Sequence, residues 1–220
     1  MLNLYCERLD VGLWAEPFNA LSNLAFLFAA WAAWHSARQP DSVRPPGGLM
    51  LLIGLIASIG AGSGLFHTFS TPWARVLDIV PIFVFQLSTI WVYLRRVAGV
   101  GMARSGFAVA AFLVATMAAR QFPDLLNGSF HYLPAFGVLF GLGVHHYRRG
   151  LEERSTLLVA TGVFAVALAA RTVDQAACPS IPVGTHFVWH VLTAATTYLV
   201  IKALIPSWRD AGSAATPRSA

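Results

Sequence analysis

Long apolar blocks, each close to the thickness of a bilayer, constrain this chain more than anything else in it. They cover residues 20–36, 48–66, 77–94, 99–119, 130–146, 156–170 and 187–204. A helix crosses the hydrocarbon core with roughly 20 residues, and about 17 are tolerated. Backbone polar groups in lipid must be satisfied inside the segment, which makes helices the default. The alternating strands of about 10 residues that build a membrane barrel are absent from the pattern. Charged residues make up only 11% of the chain, against about a quarter in a soluble domain. The expected fold class is therefore all-α: a seven-transmembrane-helix bundle forming one domain over residues 1–206. A disordered C-terminal tail is expected over 207–220. The N-terminus does not read as a signal peptide, because Glu7 and Asp10 stand where a basic region belongs.

The basic residues sort by loop. Arg38, Arg44, Arg95, Arg96, Arg104, Arg148, Arg149 and Arg154 fall on one side with Lys202, Arg209 and Arg218, and only Arg8, Arg75, Arg120 and Arg171 fall on the other. The positive-inside rule then puts the N-terminus outside and the C-terminus in the cytoplasm. The expectation is a multi-pass integral membrane protein. In a bacterium this means the inner membrane, with the outer end toward the periplasm. The net charge of +5 follows from the loop bias, so the lipid bilayer is the expected partner and nucleic acid is not.

Three histidines stand out within this topology. His67 closes the second block, and His186 and His190 open the last. All three fall toward the outer leaflet, where an imidazole needs a partner. His186 and His190 are spaced i, i+4 and share a helix face. With His67 from a neighbouring helix they make the three-nitrogen set of a catalytic zinc, which keeps a position for water. Zinc lowers the pKa of such a water toward ~7. Ser63 lies one turn before His67, placed to hydrogen-bond a developing oxyanion. Asp78 opens the third block at the same end, placed to hold the water and shuttle its proton. The bland alternative for a membrane histidine is an interhelical hydrogen bond, and His35, His131, His145 and His146 are assigned to that class. Cys6 and Cys178 also fall outside, where a disulfide and two free thiols are both open readings.

Four stretches carry a resemblance. They are Tyr5-Cys6-Glu7; the run from Ala15 through Glu16, Pro17, Phe18 and Asn19 to Asn23; Gly62-Ser63-Gly64-Leu65-Phe66-His67 with Asp78 beyond; and His186-Phe187-Val188-Trp189-His190-Val191-Leu192-Thr193. In this order they resemble the alkaline ceramidases and their bacterial relatives, within a wider group of seven-helix metal hydrolases that includes the progestin and adipoQ receptors. The resemblance implies Zn2+ on His67, His186 and His190, with Ser63 and Asp78 as catalytic partners. It implies hydrolysis of the amide of ceramide, or a related N-acyl membrane lipid, to a fatty acid and a sphingoid base. It also implies that Cys6 and Cys178 are bridged. In that family the N-terminal segment binds Ca2+ beside the zinc. Glu7 and Glu16 match two of its acidic ligands, with Asp10 available as a third. The sequence departs from the pattern at Leu4, where an acidic residue is expected, and in the shortened stretch between Glu7 and Glu16. The alternative for these carboxylates is a solvated acidic cap pairing with Arg8 or Arg75.

Other residues carry plainer expectations. Arg171 and Asp174, spaced i, i+3, read as an interfacial ion pair, with a headgroup contact as the sharper alternative. Trp14, Trp73, Trp189 and Trp208 fit an aromatic belt. Gly60, Gly62 and Gly64 allow close helix packing or leave room for an acyl chain. Two rival functions remain. A retinal protein needs a buried lysine, but Lys202 falls sixteen residues after His186, about 24 Å along a helix and at snorkelling depth. A zinc-containing seven-helix receptor or transporter without hydrolase activity would use Asp78 as a fourth metal ligand.

Overall fold

The structure, a computed structural model, describes residues 2, 4–10, 12–38 and 45–208. The described residues are helical, with no strand among them. The helices are α1 (Pro17–Ser22), α2 (Leu24–Ala37), α3 (Gly47–Phe69), α4 (Pro72–Val92), α5 (Met102–Ala119), α6 (Leu133–Arg148), α7 (Thr156–Ala177) and α8 (His186–Leu204). A π-helical turn, Tyr93–Val97, extends α4, and a short 3-10 turn, Phe130–Tyr132, leads into α6.

From α2 onward each helix packs on the next in the chain, and α8 returns to α2, so the long helices close a ring. Gly47–Phe69, Pro72–Val97, Met102–Ala119, Thr156–Ala177 and His186–Trp208 are long and apolar enough to cross a membrane. α2 and α6, with 14 and 16 residues, fall just below the roughly 17-residue limit. The ring turns large apolar side chains outward, among them Phe28, Trp31, Phe107, Val114 and Phe140. A helix bundle in water would carry polar residues on that face, so the exterior matches a lipid solvent.

Helix boundaries differ from the apolar blocks for identifiable reasons. The first block is two helices, interrupted at Asn23. α1 opens with Pro17, whose missing N–H costs nothing at a first helical position. The free amides of Phe18 and Asn19 donate to the Glu7 carboxylate at 2.6 and 2.8 Å, which supplies a cap from outside the helix. The sixth block continues past residue 170 to Ala177, because Arg171 and Asp174 find polar partners in loops and do not end the helix. Trp208 is not part of an aromatic belt: it is buried, stacked beneath the Arg96 guanidinium at 4.4 Å. A Cβ at Gly48 would come within 2.8 Å of its ring. Trp14 and Trp73 are exposed as expected. Arg44, Arg209, Arg218 and the tail after Trp208 lie outside the described residues.

One helix contact fixes the site. A Cβ at Gly62 would sit 2.0 Å from the Leu77 carbonyl oxygen, so only glycine lets α3 and α4 meet there. Pro81 lies inside α4 and has no N–H to give the carbonyl four residues back, which is that of Leu77. A freed carbonyl facing a bare Cα suits a weak Cα–H···O contact. Ser63 and Asp78 are the next residues on either side of it.

Candidate metal centre

His67 comes from the last turn of α3, and His186 and His190 from the first two turns of α8. All three rings are buried, and one ligand atom from each lies within 4.8 Å of the others. Ring centroids are 4.7 Å apart for His67 and His190 and 4.6 Å for His186 and His190. His67 Nε2 and His186 Nδ1 have no hydrogen-bond partner among the described residues. Buried polar atoms are almost always paired, so two orphaned nitrogens within a cluster of three buried imidazoles mark a place for a cation. The three histidines are positioned to bind a metal. They form the only such group of three or more His, Cys, Asp or Glu among the described residues.

The remaining imidazole nitrogens are held from behind. His67 Nδ1 is hydrogen-bonded to Glu16 Oε2. His190 Nδ1 meets the Ser22 hydroxyl at 2.8 Å. Ligating histidines need such outer partners to fix tautomer and ring orientation. Tyr5 stacks on His186 with ring centroids 3.8 Å apart. Burial raises the pKa of its phenol, keeping it neutral. Asp174 is buried and accepts from the backbone amides of Thr185 at 2.7 Å, His186 at 3.0 Å and Cys6 at 3.1 Å. It thus caps α8 at its first ligand and ties the N-terminal segment to it. Gly184, with φ +65°, passes so close that a Cβ would lie 2.2 Å from Asp174 Oδ1.

Asp174 therefore does not pair with Arg171, contrary to the i, i+3 expectation. Arg171 turns the other way and donates to the Asn127 carbonyl at 2.8 Å. Ser63 and Asp78, on either side of the α3–α4 contact, line one small pocket together with His186 and His190. Cys6 and Cys178 form a disulfide with Cα atoms 5.5 Å apart.

The carboxylates matched to calcium are occupied otherwise. Glu7 caps α1, as described. Glu16 bonds Arg8 Nε as well as His67. Burial alone would raise its pKa, but the bonds to His67 and Arg8 outweigh that and lower it. Asp10 is exposed and accepts only from the Gly12 amide, at 2.6 Å. Glu7, Asp10 and Glu16 are not gathered into a metal-binding group. The pairing with Arg8 is real but buried: Arg8 is 3% exposed and also donates to the His67 carbonyl at 2.9 Å. The other histidines behave as interhelical groups in part. His146 is buried between Tyr93 and the Glu152 carbonyl, whereas His131 lines a cavity.

That cavity, about 500 Å³, opens above the centre, and Tyr5, Asp78, Tyr132 and Arg171 line both it and a small pocket that also contains His186 and His190. On the far side Ile59, Ile82 and Thr193 are shared with an apolar pocket of about 90 Å³ between α4, α6 and α8. A polar vestibule, the histidines and an apolar pocket thus follow in line. Sequence reasoning missed the stacking of Tyr5 on His186, the burial of the Arg8–Glu16 pair, Pro81 and the capping role of Asp174. The position of Pro81 inside an apolar block was the one available signal.

No curated protein shows significant similarity to the chain. A family model described as Ceramidase matches residues 5–210, nearly the whole sequence. The chain belongs to the ceramidase family.

Proposed function

We propose that this protein is an intramembrane zinc-dependent amidase that cleaves ceramide or a related N-acyl lipid into a fatty acid and a sphingoid base. The observation that carries the reading is the buried histidine trio with two unpaired nitrogens, set beside Ser63 and Asp78 in one small pocket. The family match supports the same chemistry. The donor set suits zinc: three neutral imidazoles and one open position. His67, His186 and His190 would hold it, and the bound ion would supply a Lewis acid for the amide carbonyl and lower the pKa of a water to about 7.

Asp78 does the proton work. It takes a proton from the attacking water and returns it to the amide nitrogen as the C–N bond breaks, so the amine leaves neutral. Ser63 shares the small pocket with Asp78; its one hydroxyl proton would go either to the Asp78 carboxylate, aiming it, or to a developing oxyanion, and not to both. Asp78 lies outside the group of ligand atoms within 4.8 Å, which favours a proton-transfer role over a fourth metal ligand. The apolar pocket behind the centre suits the acyl chain, and the lipid enters sideways from the leaflet. The reading includes seven spans with the N-terminus outside, in a bacterium in the inner membrane with the site toward the periplasm. Lys202 pairs with Glu153 at 3.2 Å and is 41% exposed, which leaves it unsuited to a buried retinal linkage.

The test is turnover of N-acyl lipids by purified protein, with and without chelator and with zinc restored. We expect loss with chelator, recovery with zinc, and no turnover in a folded His67→Ala variant. Wild-type turnover in that variant would remove the histidines from the reaction.

A further inference from the structure

We propose that the vestibule recognises an anionic group on the amine side of the scissile amide, so that the preferred substrate is an acidic N-acyl lipid bearing a carboxylate or phosphate and not neutral ceramide. This rests on the amidase reading for the direction of the substrate, because the apolar pocket takes the acyl chain and leaves the vestibule to the amine half.

The argument starts from charge. Arg75, Arg120 and Arg171 all line the cavity of about 500 Å³, from the first turn of α4, the end of α5 and the end of α7. They come from three separate helices to one mouth. None of them forms an ion pair among the described residues, where the lysine and arginine pairs are Arg8–Glu16 and Lys202–Glu153. The side chains of Arg75 and Arg120 make no hydrogen bond there either, while Arg171 is held in place by the Asn127 carbonyl and the Tyr132 and Trp189 rings. Two carboxylates share the cavity, Asp78 and Asp124. Asp78 sits at the inner end, where it also lines the small pocket with Ser63, His186 and His190.

Three guanidinium groups against two carboxylates leave the cavity net positive, and a half-enclosed cavity with a net charge focuses its field and concentrates ligands of the opposite sign. His131 stands on the same wall. Guanidinium groups bind carboxylate and phosphate through paired N–H donors, and an amine-side hydroxyl offers them no charge to match. An arginine cluster serving only the bilayer surface would have no reason to converge on the entrance to the histidines.

Matched substrates decide the question. N-oleoylglycine and N-oleoylethanolamine share an acyl chain and differ in the carboxylate, and ceramide 1-phosphate and ceramide differ in the phosphate. Turnover is measured in a neutral maltoside detergent, free of lipid phosphate. We expect the acidic member of at least one pair to exceed its neutral partner in kcat/KM by about tenfold or more, roughly one good charge-assisted contact. The pair that shows it tells carboxylate from phosphate. In Arg75→Gln/Arg120→Gln the ratio should fall to within about twofold of unity. Ratios at or below unity in the wild type, or ratios unmoved by the substitutions, overturn the proposal. Equilibrium binding of the same pairs, read by tryptophan fluorescence, gives the same ratio without turnover. An amide that binds with the expected preference but is not cleaved would therefore sink the amidase reading while sustaining this one.

Discussion

The two ends of the bundle each bury histidine, and they treat it oppositely. At one end His67, His186 and His190 surround a common point with two nitrogens unpaired. At the other, about 22 Å along α4 by helical rise, Tyr93 bonds both His145, at 2.9 Å, and His146, at 3.3 Å. His146 passes its other nitrogen to the Glu152 carbonyl at 2.8 Å. Buried polar groups need partners, and the first arrangement leaves two of its nitrogens without one. The second supplies partners from protein groups alone and needs no ion. The presence of histidine in an apolar segment is thus not the signal; the unpaired nitrogen is.

The ion pairs repeat the contrast. Arg8–Glu16 is sealed behind His67, with side chains 2% and 1% exposed, whereas Lys202–Glu153 at the far end is 41% and 31% exposed. Burial should set the cost of breaking each. Arg8→Met leaves Glu16 with an uncompensated charge and should lower stability by about 3–5 kcal/mol, read as a fall in the unfolding midpoint in detergent. A loss below about 1 kcal/mol would mean water reaches the pair. Glu16→Gln keeps the shape but weakens the grip on His67 Nδ1. It should lower metal affinity about 10–100-fold, measured by chelator competition, and unchanged affinity would break the assignment of Glu16 to the histidines. Glu153→Gln should cost only about 0.3–0.5 kcal/mol. Glu153 accepts from Thr156 Oγ1 at 2.7 Å, and this bond, with a smaller contribution from Lys202, lowers its pKa. Its small contribution is therefore present above the ordinary glutamate value of about 4.3 and fades as the pH falls through the lowered folded-state value. Stability that rose on acidification through that window would reverse the sign.

Much of the site was legible because membrane sequence makes polar residues expensive. His67, His186, His190, Ser63 and Asp78 each interrupt an apolar block, and i, i+4 spacing supplies their facing. What was not legible depends on contacts between segments far apart in the chain. Asp174 looked like a local partner for Arg171, yet it bonds Cys6, 168 residues away. Glu16 was matched to a calcium ligand, with a solvated pairing with Arg8 or Arg75 as the alternative, because nothing in its neighbourhood says that the pair with Arg8 is buried behind His67. The vestibule is invisible for the same reason, since its arginines sit on three helices. The count of spanning helices blurred at α2 and α6, where an interrupted block and a 3-10 entry trim the helices below bilayer length.

The central claim is that the trio of His67, His186 and His190 holds a metal and the Tyr93-bonded pair of His145 and His146 does not. Elemental analysis of the purified wild-type protein, His190→Ala and His146→Ala tests it most directly. The account predicts about one zinc per chain in the wild type and in His146→Ala, and none in His190→Ala. A folded wild-type protein without transition metal, or equal loss of metal in both variants, would contradict it.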